Sequence, residues 1–330
     1  MTAILLLSLF LVVDVNLLES AQALGQNDSI NAALSWLMLN QQSNGSYGSF
    51  TEPQTAPAAY GMWIRVQDGA TVVLSYNWLK NQIQNSSTWF WGGGGNIAEA
   101  DIPGEILYTF SQSQNLHMLN LLSGVTSNLT KFQQGNGGFV GYFDTPSNSR
   151  VTSSVDTAMA LLGLISSNSI PAAKEQSAVN YLLSLQNSDG SFNLTKTVRS
   201  DSLYSLGPEP ISLTALVVLA LREASLTSVN STIISALNFL VASASATFGG
   251  HVYAAALSLL VFSEFSNAGE TSIADNFIIQ QQNADGGFRD ISRGSTGSNA
   301  LDTGWAVTAL QLRASICCTG GGGGGRFYEL

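Results

Sequence analysis

Five carboxylates stand at or near the starts of apolar stretches in this 330-residue chain: Asp101, Glu105, Asp156, Glu209 and Asp302. Two such groups, one a general acid and the other a base or nucleophile, are what glycoside hydrolysis requires. None of the five sits in a diagnostic motif, so they are candidates for carbohydrate chemistry rather than a signature of it. Two of them share a setting. VDTAMALLGL from Val155 and LDTGWAVTAL from Leu301 align without gaps with SLTALVVLAL from Ser212 and VYAAALSLLV from Val252. Asp156 then matches Asp302, while Leu213 and Tyr253 hold that place in the other two stretches. Each acid is followed by a threonine, Thr157 or Thr303. An Asp-Thr pair at a helix start either caps the helix through backbone N–H groups or presents a polar contact to a ligand.

Other chemistries lack their residues. The cysteines, Cys317 and Cys318, are adjacent, and only His117 and His251 are available as imidazole ligands. That set builds neither a disulfide framework nor a four-ligand zinc site, and no metal or cofactor is expected. Gly92 to Gly95 has no following Lys-Ser/Thr and no preceding strand, so it reads as a turn and not as a phosphate loop. Asn187-Ser188-Asp189-Gly190 does not continue into a calcium-binding ligand series. A net charge of −10 and a pI near 4.5 argue against nucleic acid as a partner.

The elements that must carry these residues repeat along the chain. QQSNGSYGSF from Gln41, QQGNGGF from Gln133, QNSDGSF from Gln186 and QNADGGF from Gln282 each place Gly four residues after the Gln. In the last three a Phe stands six residues after it, at Phe139, Phe192 and Phe288. Trp36, Tyr181 and Phe277 stand five residues before it. Weaker copies surround Trp89 and Phe248, so aromatic landmarks fall near 50, 91, 139, 192, 248 and 288, marking six units. Before each Gln lies an amphipathic helical segment, after it a turn with positive φ, and then an almost wholly apolar helix. A helix apolar on all sides must be buried on all sides, so the second helix of each hairpin lies inside. The expected fold is all-α: a six-hairpin α/α toroid, its inner helices roughly parallel, spanning residues 24–315.

The spacing aromatic–x4–Gln–x3–Gly–x–aromatic, as in Tyr181, Gln186, Gly190 and Phe192, resembles the QW-type repeat of the terpenoid cyclase and protein prenyltransferase superfamily. The resemblance covers about residues 30 to 313, with Phe where the cyclase repeat usually ends in Trp. It implies the toroid and a structural role for the repeat, in which outer helices are tied to neighbouring turns. The cyclase Asp-x-Asp-Asp string does not occur, nor do the zinc ligands of the prenyltransferases. The thioester domains of complement type share the toroid, but their Cys-Gly-Glu-Gln signature is also missing. VDTAMA and LDTGWA further resemble segments of secreted relatives that carry cobalamin.

A toroid without those chemistries offers an apolar-walled centre with a few polar groups at its mouth, suited to a hydrophobic or amphipathic small ligand. Asp156, Asp302, Thr157, Thr303, Tyr253, Trp63, Trp305 and Glu209 are the candidate ligand contacts, and Tyr60 and Tyr108 are further candidate wall aromatics. Units three and six stand opposite in a ring of six, so Asp156 and Asp302 are expected to face each other across it. A carbohydrate-active enzyme, a non-catalytic architectural surface protein and a divergent terpene cyclase remain alternatives. Residues 1–23 are expected to be a cleavable signal, from the apolar run Ala3 to Val13 and the small-x-small Ala21-Gln22-Ala23, although the first basic residue is Arg65. Six Asn-x-Ser/Thr sequons, about the number composition alone predicts, are compatible with a secreted or surface glycoprotein. Residues 316–330, with six consecutive glycines, are expected to lie outside the domain, and cell-surface association would run through a missing C-terminal anchor.

Overall fold

The computed structural model describes residues 25–49, 51–85, 99–113, 125–144, 148–196, 210–289 and 297–318. Odd-numbered helices form the outer wall: α1 (residues 25–40), α3 (Ala70–Asn85), α5 (residues 125–129), α7 (Ala172–Leu183), α9 (Ser231–Ser245) and α11 (Ala268–Gln280). Even-numbered helices form the inner wall: α2 (Thr51–Val66), α4 (Asp101–Gln112), α6 (Ser154–Ser166), α8 (Pro210–Glu223), α10 (Val252–Glu264) and α12 (Ala300–Cys318). The composition of each helix decides its wall. In α10 every residue from Val252 to Phe262 except Tyr253 is buried, whereas α7 buries only Ala178, Val179, Tyr181 and Leu182. Each inner helix packs on the next around the circle, and α12 packs on α2. The ring is closed.

Two inner pairs approach so closely that only glycine fits. A Cβ on Gly104 of α4 would lie 2.5 Å from the Met159 carbonyl of α6, and one on Gly163 would lie 2.4 Å from the Gly104 carbonyl oxygen. Gly61 of α2 and Gly304 of α12 form the corresponding contact at the closure. In both pairs the contacts advance together along the two helices, from Gly104 with Met159 to Leu107 with Gly163 and from Pro57 with Gly304 to Gly61 with Val307, so these neighbouring inner helices run parallel.

The repeated Gln and Gly are the joints of the outer wall. The side-chain amide nitrogen of Gln41 donates to Thr71 O, of Gln133 to Lys174 O, of Gln186 to Thr232 O and of Gln282 to Ser29 O, at 2.7–2.9 Å. Each also donates to the carbonyl of its own turn glycine. Those glycines hold φ between +88° and +96°, and a Cβ on any of them would strike the backbone of the next outer helix. The last joint returns to the first helix: Gln282 binds Ser29 O, Gly286 packs on Ala32, and the Trp36 indole donates to Asp285 at 3.0 Å. Gln26, Arg313 and the buried Asp275 add a polar clasp between α1, α12 and α11.

Three details depart from the sequence expectation. A two-stranded antiparallel hairpin, β1 (Phe139–Asp144) with β2 (Ser149–Ser153), precedes α6 and interrupts the all-α pattern. Its register shifts at Gly141, where a Cβ would lie 1.7 Å from Asp156 Oδ1, so the bulge makes room for that carboxylate. The first unit's landmark is Tyr47, not a residue near 50. At the C-terminus α12 continues through Cys318, past the expected boundary at 315, because the helix-breaking glycines begin only at Gly320. The expected signal, residues 1–23, and the glycine run lie outside the described residues.

Candidate functional site

The repeat's aromatic residue explains the threonines. The backbone N–H of Tyr47, Phe139, Phe192 and Phe288 donates to the hydroxyl of Thr55, Thr157, Thr214 and Thr303 respectively, at 2.9–3.3 Å. All four threonines are fully buried. Thr157 and Thr303 therefore pin each turn to its inner helix, which corrects their expected place at a ligand. The sequence carried a signal for this: Thr recurs at Thr214, where no Asp precedes it.

Asp156 is likewise committed to the main chain. Ser153 caps α6 by accepting from the Asp156 N–H at 3.0 Å, and the Ser153 hydroxyl returns a bond to Asp156 Oδ2 at 2.5 Å. The other oxygen, Oδ1, accepts from the N–H groups of Ala100 and Asp101, which open α4 and have no cap of their own. Burial pushes the Asp156 carboxyl up to about 6, against the lowering effect of these hydrogen bonds. Asp302 stands in the same box with Asn299, whose Oδ1 accepts the Asp302 N–H and whose amide donates to Asp302 Oδ2. The third and sixth inner helices do stand opposite each other, but Asp156 reaches sideways along the wall to α4 and not across the centre. Beside it the half-buried Asp101 is held well above the usual carboxylate range by burial and by the Asp156 and Glu99 charges. Glu99 pairs with Arg150 at 2.5 Å. Glu209 lies outside the described residues.

The ring centre is filled from several walls by aromatic rings. Tyr60 and Trp63 of α2 stack at 6.3 Å between centroids, and the Tyr60 ring meets the edge of Tyr108 of α4 at 6.0 Å. Tyr253 of α10 meets Trp305 of α12 at 6.1 Å. Into this group projects Glu105, one turn down α4 from Asp101 and only 4% exposed. The Trp305 indole N–H donates to Glu105 Oε1 at 3.2 Å. Burial pushes the Glu105 carboxyl up to about 8, with the indole bond opposing it, so the group is a neutral acid at pH 7. Two-carboxylate hydrolysis needs an ionised partner beside such an acid. Asp101 is itself held well above the usual carboxylate range by burial and neighbouring charge, and Asp156 accepts from backbone N–H groups, so neither of these two is an unengaged base beside Glu105.

Beyond these rings a small cleft of about 40 Å³, partly open to solvent, reaches the C-terminal ends of α8 and α10. Tyr108, Trp305, Leu162 and Leu219 form its apolar walls, and Arg222, Glu223 and Glu264 complete its lining. The polar ends are linked around this mouth: Gln112 donates to Ser166, Ser166 to Glu223, and Arg222 pairs with Glu264 at 3.3 Å. The sequence reading found Tyr60, Tyr108 and Trp305 here, and carried Glu105 only as a hydrolytic carboxylate. It missed Arg222, Glu223 and Glu264, because three charges at separate helix ends form no local pattern. Among the described residues no cluster of metal-ligating side chains occurs, and no helix is long and apolar enough to cross a membrane.

This architecture defines the class of α/α-toroid proteins. Within it, the model of the A-macroglobulin TED domain matches residues 106–274, and the chain belongs to that family. The matched span begins after α2 and contains neither cysteine. The fold is similar to that of the type II terpene cyclase MstE from Scytonema, at 14% identity over 88% of this chain and 99% of that one, with a TM-score of 0.63. It is similar to a glycosidase at 14% identity over 90% and 99%, with a TM-score of 0.64. It is also similar to the GH76A α-1,6-mannanase from Salegentibacter sp. HEL1_6, at 10% identity over 88% and 99%, with a TM-score of 0.59. None of the curated proteins matches the chain in sequence.

Proposed function

We propose that the protein binds an amphipathic small molecule in the cleft at the C-terminal mouth of its ring. The observation that carries this reading is Glu105: a neutral, buried acid bonded to the Trp305 indole, beside a cleft walled by Trp305 and Tyr108. Apolar walls supply affinity for a hydrocarbon portion, and the few convergent polar groups orient the remainder. The likeness to MstE, whose structure holds geranylgeranyl dihydroxybenzoate as substrate, supports an amphipathic occupant of such a ring. No cyclase or zinc chemistry is carried over, since neither residue set is present. We place the protein outside the cell or at its surface, supported by the apolar run Ala3 to Val13 with Ala21-Gln22-Ala23 and by the sequons at the exposed Asn27 and Asn44.

Mass spectrometry of small molecules released from the protein purified from its native source tests this reading. A defined compound that rebinds the wild-type chain, and binds Trp305→Ala at least tenfold more weakly, is the expected result. Recovery of no compound, together with no binding across a panel of neutral amphiphiles, would overturn it.

A further inference from the structure

The chain itself joins five of the ring's six seams, passing from each inner helix into the next outer one. Between the sixth unit (α11, α12) and the first (α1, α2) no peptide link passes, and Gln311 meets Gly61 across 250 residues of sequence. Five buried polar atoms at this seam have no hydrogen-bond partner among the described residues: Ser29 Oγ of α1, Asp275 Oδ1 of α11, and Thr308 Oγ1, Gln311 Oε1 and Arg313 Nε of α12. Their neighbours place them there. Arg313 Nη1 donates both to Gln26 of α1 and to Asp275, Gln282 donates to Ser29 O, and Gln311 donates to Gly61 O of α2, beside Thr308. Elsewhere such atoms are scattered singly, as at Gln54 and Ser258. Burial holds the Asp275 carboxyl above the usual carboxylate range even against the pull of Arg313, so the pair is poorly compensated. A buried polar atom without a partner regains hydrogen bonds when water reaches it. Parting this seam hydrates five such atoms together and stretches no peptide link. The hydrogen bonds that cross it are exchanged for bonds to water, at a small net cost each.

The seam also divides the central rings. Tyr60 and Trp63 belong to α2 on one side of it, and Trp305 to α12 on the other. The cleft, at about 40 Å³, is a small part of the roughly 300–1,000 Å³ that small-molecule pockets occupy, so seating an amphiphile requires the walls to move. We propose that the seam between the sixth and first units is the entry gate of the ring: α1 and α2 part from α11 and α12, admit the ligand to the aromatic centre and the cleft, and close behind it. The proposal rests on the ligand-binding reading above and adds the route by which the ligand arrives.

Hydrogen–deuterium exchange of the full chain, read by mass spectrometry, tests the opening without a ligand. Amides of residues 30–37 in α1 and 307–312 in α12 are expected to exchange at least about tenfold faster than those of 179–182 in α7 and 213–221 in α8, with one shared dependence on denaturant. Fraying of α1 alone, with α12 as protected as α8, would overturn the gate. The double variant Asp275→Leu, Arg313→Met puts apolar side chains in place of the buried pair, and seam exchange in it is expected to slow at least about tenfold. Unchanged exchange in the folded variant would also overturn the proposal. Entry is followed with the amphiphilic probe anilinonaphthalene sulfonate by stopped-flow fluorescence. Its association rate with the wild-type chain is expected to reach a ceiling as probe concentration rises, and that ceiling to fall in the double variant along with seam exchange. A rate that climbs without a ceiling means entry without opening, and the gate falls while binding stands. If the probe does not bind, the entry role falls, and the small molecules released from native protein decide whether the ligand-binding reading falls with it.

Discussion

The two ends of the inner wall use carboxylates in opposite ways. At the N-terminal end Asp156 and Asp302 sit in the first turns of α6 and α12, where exposed N–H groups and the positive helix end favour an acid. Asp156 is bonded to Ser153, Ala100 and Asp101, and so caps one helix while belonging to another. At the C-terminal end Glu223 and Glu264 oppose the same dipole and border a cleft. Glu105 lies between, neutral and bonded to the Trp305 indole. An acid placed with the field is a structural part, and an acid placed against it needs another explanation. Ligand binding is the explanation the open cleft supports.

The largest expected effect tests the acid that belongs to neither end. Glu105 is held at about 8 in the folded chain against an ordinary 4.5, so folding favours its protonated form. The folded state then binds more protons between these values, and stability is lost as pH rises from 4.5 through 8. The interval corresponds to about 5 kcal/mol. Glu105→Gln keeps the shape without the charge, and is expected to be more stable than wild type by several kcal/mol at pH 9 and equal to it at pH 4. Denaturant melts across that range check the sign. A variant less stable than wild type at pH 9 would show that Glu105 is ionised and structurally bonded, as at the N-terminal end.

Removing a cap comes next. Asp156→Ala strands the N–H groups of Ala100 and Asp101 and the hydroxyl of Ser153, and each buried unpaired group costs about 1–3 kcal/mol. A loss of about 3 kcal/mol is expected, with Asp156→Asn recovering more than half because its Oδ1 still accepts. Thr157→Val is a smaller step on the same side of the comparison. It removes the acceptor for the Phe139 N–H and the donor to Ser153 O, at about 1–2 kcal/mol. If either Asp156→Ala or Thr157→Val leaves the denaturation midpoint unchanged while abolishing ligand binding, the N-terminal mouth is the site and the comparison inverts.

The fold was legible in the sequence because its signals are local and repeated. Gln186, Gly190 and Phe192 lie within seven residues of one another, and the same spacing recurs at Gln282. The apolar stretches from Val155 and Val252 needed only composition to be placed inside. The hairpin before α6 was not legible, since its bulge at Gly141 answers to a carboxylate 15 residues away. The site was legible only in its aromatic residues. Asp156 and Asp302 were prominent by alignment, but a box such as Ser153-x-x-Asp156 identifies a cap as readily as a contact. Glu105 and Trp305 meet across 200 residues of sequence, and no periodicity joins them.

The smallest effect separates the two ends by sign. Glu264 in the folded chain is pushed up by burial, against the pull of Arg222, with Glu223 adding to the rise. Its ionised form is therefore disfavoured by folding, and the cost appears as pH rises above the ordinary glutamate value. Glu264→Gln removes that cost and the clash with the α10 dipole, about 0.3–1 kcal/mol. It also removes a partly buried ion pair with Arg222, about 0–1 kcal/mol. A gain of about 0.5 kcal/mol at pH 8 is expected, absent at pH 4 where the wild-type group is protonated. Paired thermal melts of wild type and variant at the two pH values resolve it as a midpoint difference of about 1–2 °C. A loss greater than about 1 kcal/mol at pH 8 would make Glu264 a structural acid like Asp156, and the contrast between the two mouths would no longer distinguish frame from site.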